Sequence, residues 1–367
     1  MLKPAGASCN LRCQYCYYLP TERLYEKEGK AHLLTDETLE LFTRQYIEAQ
    51  TQEDVMFCWH GGEPLLRPLS FYRRALALQQ EYAQGHRILN CLQTNGTLLT
   101  EEWARFLCDN HWLVGVSIDG TQRMHDELRR TRRGLPSWAK VRQGISLLNK
   151  HGVEWNAMAV VNALNADRPE EFYLFFRDEL KARFLQFAPI LEPGLSLNVS
   201  ARQWGRFLCR LFDLWLEQDV GEVFVQMFDA TLANWAGEVP GLCSLSPACG
   251  HSGVMEHNGD VYSCDHFVDE AHLLGNVREK TLTEMMYSQR QREFGRQKGE
   301  WLPCECKQCQ WLFLCHGECP KNRDQEGRSL LCEGYKAFFS HSAPAMERMR
   351  DLLRQGLPPS DVMKTMP

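Results

Sequence analysis

The sequence predicts an α/β fold, a mostly parallel sheet wrapped by helices and open or barrel-like, followed by a smaller cysteine-rich domain. Two observations predict it. From residue 1 to about 190, short apolar runs alternate with amphipathic stretches of helical period, the pattern of repeated strand–helix units. After about Pro240 the composition changes to Cys, Gly and His with only short strand signals.

The first strand is expected at Leu2–Gly6, and the later ones at Val55–His60, Ile88–Thr94, Leu113–Ile118, Trp155–Val161 and Phe184–Ile190. Helical periodicity lies between them, at Asp36–Ala49, Ser70–Tyr82, Glu101–Asn110, Ser137–Lys150 and Pro169–Leu180. Thr35, Ser70 and Thr100 have the side chains that cap helices, and Glu101 and Glu102 place acid in a first turn. Ala201–Glu217, rich in Phe, Leu and Trp, is a helix leading out of the repeat. His257-Asn258-Gly259-Asp260, set between Val254-Met255 and Val261-Tyr262, is an Asn-Gly hairpin signal. Tyr335–Arg354 reads as one closing helix, ended by Gly356-Leu357-Pro358-Pro359. The resulting organisation is a core domain over 1–195, a helical linker over 196–240, a cysteine-rich domain over 241–335 and a helix with tail over 336–367.

The 367 residues are 44% hydrophobic and 24% charged, which excludes a disordered chain and a small disulfide-stapled scaffold. Lys+Arg 41 against Asp+Glu 47 leaves a net charge of −6, so no basic field argues for a nucleic-acid partner. No apolar run is long enough to cross a membrane and no signal-peptide core precedes Cys9, so the expectation is a cytoplasmic protein without membrane attachment. Of 16 cysteines, three lie at Cys9, Cys13 and Cys16 and nine between Cys243 and Cys332. Cys58, Cys91, Cys108 and Cys209 are scattered and read as small core residues. In a reducing compartment, clustered thiols stay free for metal instead of pairing as disulfides.

Cys9-x3-Cys13-x2-Cys16 follows the first strand, at the carboxyl edge of the sheet where α/β folds place chemistry. Three thiolates at this spacing hold three irons of a [4Fe–4S] cube and leave the fourth iron open. A zinc loop completed by a ligand from elsewhere fits the same spacing. Gly61-Gly62-Glu63-Pro64 follows the Val55–His60 strand. Its glycines let a ligand approach the backbone closely, and its carboxylate accepts bonds from an ammonium group. Ser117-Ile118-Asp119-Gly120 closes another strand, and Arg129-Arg130-Thr131-Arg132-Arg133 is a basic run.

With Tyr15 just before its third cysteine, the triplet resembles the signature of radical S-adenosylmethionine (SAM) enzymes. Gly61–Pro64 resembles that family's Gly-Gly-Glu-Pro stretch. The resemblance implies a partial (β/α)6 barrel and a cluster whose open iron is chelated by the amino and carboxylate groups of SAM. Reduction then releases methionine and a 5′-deoxyadenosyl radical. It further implies SAM contacts from Tyr15, at the adenine, and from Gly62, Glu63, Ser117, Arg129 and Leu191, with Ser117 at the SAM carboxylate.

The run Cys306-x2-Cys309-x5-Cys315-x3-Cys319, then Cys332, resembles the SPASM domain of peptide-modifying radical SAM enzymes. That likeness implies two further [4Fe–4S] clusters, giving three in all. One would be held by Cys243, Cys249, Cys264 and Cys319, the other by Cys306, Cys309, Cys315 and Cys332. Cys304 competes with Cys306 for one position, and the x2 spacing to Cys309 favours Cys306. Taken alone, these eight cysteines also fit a pair of zinc sites.

Cys264-Asp265-His266-Phe267-Val268 is similar to the corresponding stretch of the anaerobic sulfatase-maturating enzymes. So are Cys249-Gly250, Gly275-Asn276-Val277, Gln93-Thr94-Asn95-Gly96-Thr97, Phe184-Leu185-Gln186-Phe187 and Phe212-Asp213-Leu214-Trp215. The resemblance implies oxidation of one cysteine or serine, within a Cys/Ser-x-Pro-x-Arg segment of a sulfatase, to Cα-formylglycine. A hydrogen atom is taken from the substrate Cβ, Asp265 takes the thiol or hydroxyl proton, and the adjacent auxiliary cluster takes the electron. Thiolate charge nearby is expected to push the Asp265 carboxyl upward. Tyr18 and His60 are expected to face the peptide cavity. The implied partners are an unfolded or nascent sulfatase polypeptide and an electron donor such as flavodoxin or ferredoxin. Two other readings stand beside this one: a peptide maturase of the same architecture that forms thioether or carbon–carbon crosslinks, and a non-enzymatic zinc-binding scaffold.

Overall fold

The computed structural model describes residues 1–28 and 32–364, and the chain packs as two compact units. The first gathers Met1–Ser117, Asp126–Trp155 and Gly250–Gly295; the second gathers Ile118–His125, Asn156–Cys249 and Arg296–Pro367. One stretch of the cysteine-rich segment therefore packs with the N-terminal residues.

Six strands follow one another in chain order. In the first unit β1 (Asp54–Trp59) and β2 (Arg87–Thr94) run parallel from Asp54↔Arg87 to Trp59↔Leu92, and β3 (Leu113–Ser117) continues from β2 with Thr94↔Val116. In the second unit β4 (Trp155–Val161, from Asn156 onward) pairs in parallel with β5 (Phe184–Pro189), which pairs with the short β6 (Phe224–Val225). These strands lie within a residue or two of the sequence expectation, because parallel strands covered on both faces carry apolar runs that are hard to misplace. The short β6 carried no such signal.

Helices Asp36–Glu48, Leu69–Glu81, Glu101–Asp109 and Trp138–His151 belong to the first unit. Thr35 Oγ1 accepts from Thr38 N at 3.2 Å and Thr100 Oγ1 from Trp103 N at 3.3 Å, as their positions predict. Ser70 does not cap its helix. That helix begins one residue earlier, at Leu69, behind Pro68 with its φ of −70°. The helix expected over 169–180 is α-helical only over Pro169–Leu174, and a π turn, Phe175–Glu179, follows with both Phe175 and Phe176 buried.

The expected first strand is reduced to a single bridging residue. Leu2 bridges Trp59 on one side and Met255 on the other. Leu2 N donates to Cys58 O at 2.8 Å, His60 N to Leu2 O at 2.9 Å and Lys3 N to Met255 O at 3.0 Å. The chain then turns, because Pro4 has no N–H to continue a ladder and Gly6 sits at φ +51°. This short segment joins β1 to a three-stranded antiparallel sheet of β7 (Val254–Met255), β8 (Asp260–Tyr262) and β9 (Leu273–Asn276), the hairpin that Asn258-Gly259 announces.

In the second unit the closing helix, Cys332–Arg354, lies against Ala201–Gln218. The crossing is close at two glycines: a Cβ on Gly334 would stand 2.3 Å from Ala201 O and 3.0 Å from Gly205 N. Gly334→Ala is therefore expected to push the helices apart and cost about 1–3 kcal/mol, read as a lower unfolding temperature. An unchanged melting curve would show that the crossing has room to spare.

Candidate active site

The cysteine loop is held by backbone. Gly62 N donates to Gly6 O at 2.9 Å and Glu63 N to Ser8 O at 2.8 Å, so the Gly61–Glu63 turn is strapped to the residues just before Cys9. A Cβ on Gly62 would lie 2.1 Å from Ser8 O, so no other residue fits without moving this loop. Cys9, Cys13 and Cys16 are all half-buried. Cys9 Sγ already accepts from Leu11 N at 3.3 Å and from Asn95 Nδ2 at 3.7 Å. Burial, and then the Glu63 charge, push the Cys9 thiol up to about 12, a cost that binding to a cation removes.

Glu63 is fully buried and held by three donors: Thr94 Oγ1 at 2.7 Å and Leu65 N at 3.0 Å on one oxygen, and Asn95 N at 2.8 Å on the other. Burial raises its carboxyl, and these bonds oppose the rise. Ser117, at the end of β3, takes a bond from Gln93 Nε2 at 3.0 Å. Arg129 Nη1 donates to the Tyr15 hydroxyl at 2.7 Å, which brings together two residues that the resemblance names separately. Leu191 belongs to the second unit, half-buried just beyond β5. The residues around the triplet thus fit a small ligand carrying an ammonium and a carboxylate: a fixed buried carboxylate, a strand-end hydroxyl and backbone with no side chain in the way.

Asp265 follows β8, after Cys264. Lys3, with no exposure, forms an ion pair with Asp265, whose side chain is 16% exposed. Tyr17 Oη donates to Asp265 Oδ2 at 2.5 Å. Burial by itself raises the Asp265 carboxyl, but Lys3, His60 and His266 outweigh it and hold the group below the usual carboxylate range. This corrects the upward shift expected from the thiolates, since the sequence reading missed the ammonium. Its one signal was a lysine inside an otherwise apolar strand expectation.

His60 and Tyr18 are not simply directed at a peptide. His60 Nδ1 lies 3.1 Å from Lys3 Nζ and accepts from Gly61 N at 2.8 Å, which leaves the proton on Nε2. Burial, then Lys3, lower that imidazole to about 3. Tyr18 is 3% exposed, donates its hydroxyl to both oxygens of the buried Glu256 at 2.6 and 2.7 Å, and has Lys3 Nζ 4.2 Å from its ring centre.

In the second unit Cys306, Cys309, Cys315 and Cys332 line one cavity together with Trp311, Tyr335 and Phe339; Cys304 is exposed and outside that lining. Cys243, Cys249 and Cys319 lie in the same unit around Lys298, whereas Cys264 belongs to the first. Among the described residues, no three His, Cys, Asp or Glu side chains converge as ligands of a single ion do. A cube gives each thiolate its own iron, so its ligands surround a cavity, and the four thiols around this one fit that demand.

A family model of the radical SAM superfamily matches residues 4–176, and one of an iron–sulfur cluster-binding domain, SPASM, matches residues 249–310. A serine-type anaerobic sulfatase-maturating enzyme of Bacteroides thetaiotaomicron is 52% identical, with 100% of this chain and 94% of that one covered. A cysteine-type enzyme of Clostridium perfringens is 33% identical over 94% of this chain and 96% of its own. The solved structure of native anSMEcpe with bound AdoMet and a peptide aligns with a TM-score of 0.88 at 31% identity, covering 95% of this chain and 98% of that one. On these likenesses the chain belongs to the anaerobic sulfatase-maturating enzymes, with the radical SAM fold and an iron–sulfur SPASM domain.

Proposed function

We propose that this enzyme oxidises a serine of an unfolded sulfatase segment, Ser-x-Pro-x-Arg, to Cα-formylglycine, with Asp265 as the base. The observation that carries the chemistry is the Asp265 carboxylate, kept ionised by the buried Lys3 ammonium and oriented by the Tyr17 hydroxyl. Serine is favoured over cysteine by the 52% identity to a serine-type relative against 33% to a cysteine-type one.

When bound, SAM and three [4Fe–4S] clusters supply the one-electron chemistry, in which the substrate Cβ gives up a hydrogen atom and then an electron. Cys9, Cys13 and Cys16 hold the first cluster. Glu63 and Ser117 hold the ammonium and carboxylate of SAM, Gly62 gives it room, and Tyr15 with Arg129 and Leu191 borders the rest. Cys243, Cys249, Cys264 and Cys319 hold one auxiliary cluster, and Cys306, Cys309, Cys315 and Cys332 the other. Asp265 takes the hydroxyl proton as the carbon–oxygen double bond forms. Lys3 opposes the loss of that negative charge, so proton transfer requires substrate close enough to replace part of its interaction.

Anaerobic turnover of a Ser-x-Pro-x-Arg peptide beside its cysteine counterpart, read by mass spectrometry, is expected to give aldehyde from the serine peptide. Aldehyde from the cysteine peptide alone would overturn the serine assignment, and 5′-deoxyadenosine with both peptides unaltered would favour the crosslinking maturase. Asp265→Asn is expected to lower aldehyde formation about 10²–10⁴-fold while 5′-deoxyadenosine still forms; full aldehyde output would remove Asp265 from the reaction. Iron analysis is expected to find about twelve irons per chain, three cubes of four. Cys306→Ala should lose about four of them and Cys304→Ala none, and the reverse pattern would exchange the two residues.

A further inference from the structure

The SAM site accounts for only one member of the basic run Arg129–Arg133. Arg129 is buried and donates to the Tyr15 hydroxyl, whereas Arg130, Arg132 and Arg133 are exposed. Over 126–142 six Arg and Lys stand against two acids, in a chain whose net charge is −6. Residues 130–136 form a tight hairpin. Arg130 bridges Pro136, Thr131 N donates to Leu135 O at 2.9 Å and Gly134 N to Thr131 O at 2.8 Å, and Gly134 turns the chain at φ +76°.

This hairpin is laid along the first cysteine loop. Leu11 bridges Thr131 in antiparallel register. Arg12 N donates to Arg130 O at 2.8 Å, Gln14 N to Leu128 O at 3.1 Å and Arg132 N to Asn10 O at 3.4 Å. Arg132 also reaches back, with Nε 2.7 Å from Cys9 O. Arg12, which stands between Cys9 and Cys13, is exposed too, and the register sets it opposite Arg130. Like charges facing each other across a pair of extended segments cost stability.

No carboxylate of the chain offsets them. Among the described residues Arg12, Arg130, Arg132 and Arg133 form no ion pair. Asp126 uses its Oδ1 to accept from Ser137 N at 2.8 Å and Trp138 N at 2.9 Å, and the exposed Glu127 pairs with none of the four. Leu135, 59% exposed, stands at the end of the same hairpin. Arginines around an exposed apolar side chain have the composition of an interface rather than of ordinary surface.

We propose that Arg12 and the hairpin over 130–136 form the docking surface for an acidic one-electron carrier protein, which reduces the cluster held by the loop against which the hairpin lies. This rests on the reading that Cys9, Cys13 and Cys16 hold that cluster. The carrier loses one electron and the cluster gains one. Four unpaired guanidinium groups draw an anionic partner in and fix its orientation over the loop, and they repel a basic one such as a Ser-x-Pro-x-Arg segment.

The test uses the cluster-loaded enzyme, with oxidised flavodoxin for binding, reduced flavodoxin for turnover and dithionite as a small reductant beside it. Arg130→Glu with Arg133→Glu is expected to weaken flavodoxin binding about tenfold or more by calorimetry at ~0.1 M ionic strength, and the difference should shrink towards ~1 M as screening shortens. The flavodoxin concentration that half-saturates 5′-deoxyadenosine formation should rise by the same factor, while dithionite-driven formation is unchanged. Arg12→Glu should act in the same direction, and Arg130→Lys with Arg133→Lys should keep most of the binding. Unchanged flavodoxin binding in both glutamate variants at full iron content would overturn the proposal. So would an equal loss of dithionite-driven turnover, since the arginines would then act on the cluster itself. Loss of binding to a single-stranded RNA oligonucleotide, with flavodoxin binding intact, would assign the surface to nucleic acid instead. An unaltered enzyme that forms no 5′-deoxyadenosine with dithionite would overturn the cluster reading and the proposal together, and so tells the two failures apart.

Discussion

A lysine ammonium sealed from water beside a carboxylate is the interaction around which the first unit is arranged. Lys3 sits where it does because Leu2 is hydrogen-bonded to β1 on one side and bridges Met255 on the other. That stitch brings the turn after β8, which carries Asp265, against the end of β1, which carries His60 and the Gly61–Glu63 turn. The pair is exclusive in energetic terms: removing either charge leaves the other buried, at a cost of about 3–5 kcal/mol. The same ammonium also fixes the His60 tautomer and lies over the Tyr18 ring, so one charge orders three side chains.

The Gly61–Glu63 turn depends on that placement. It is strapped to residues 6–8 by two backbone bonds, and those residues lead directly into Cys9. Glu63 is held through both oxygens before any ligand arrives. A carboxylate fixed in this way loses little freedom on binding an ammonium, which is how preorganised sites gain affinity. The glycine at 62 is required for space rather than for backbone conformation, because a side chain there would strike Ser8 O.

Much of this was legible in the sequence. The parallel strands, the Thr35 and Thr100 caps, the Asn-Gly hairpin and the cysteine groups all announce themselves through local pattern, residue type or spacing. What was not legible has a common cause. The first strand collapses to one bridge because Pro4 and Gly6 break it, yet the bridge at Leu2 serves two sheets, a long-range arrangement that no local window contains. The Ser70 cap failed because Pro68 supplies an entry geometry that competes with it. Lys3, Tyr17 and Lys298 were passed over because a lysine or tyrosine in a sequence looks like surface until its partner, 262 positions away for Lys3 and Asp265, is known to be adjacent.

The cysteines show where negative charge will gather; the cations show what that charge is for. Lys3 faces a carboxylate, Arg129 reaches the Tyr15 hydroxyl near Glu63, and Lys298 donates to the backbone carbonyls of Cys243 and Ser244. A paired cation lowers the basicity of its carboxylate and fixes its direction. The two cysteine quartets are alike in ligand type but not in setting: Arg328 and Lys336 beside one are partly exposed and paired with Glu333, whereas Lys298 beside Cys243 is buried and donates to backbone carbonyls. Ligand spacing alone makes the quartets equivalent. Burial makes their settings different, because a buried charge is screened far less than an exposed one.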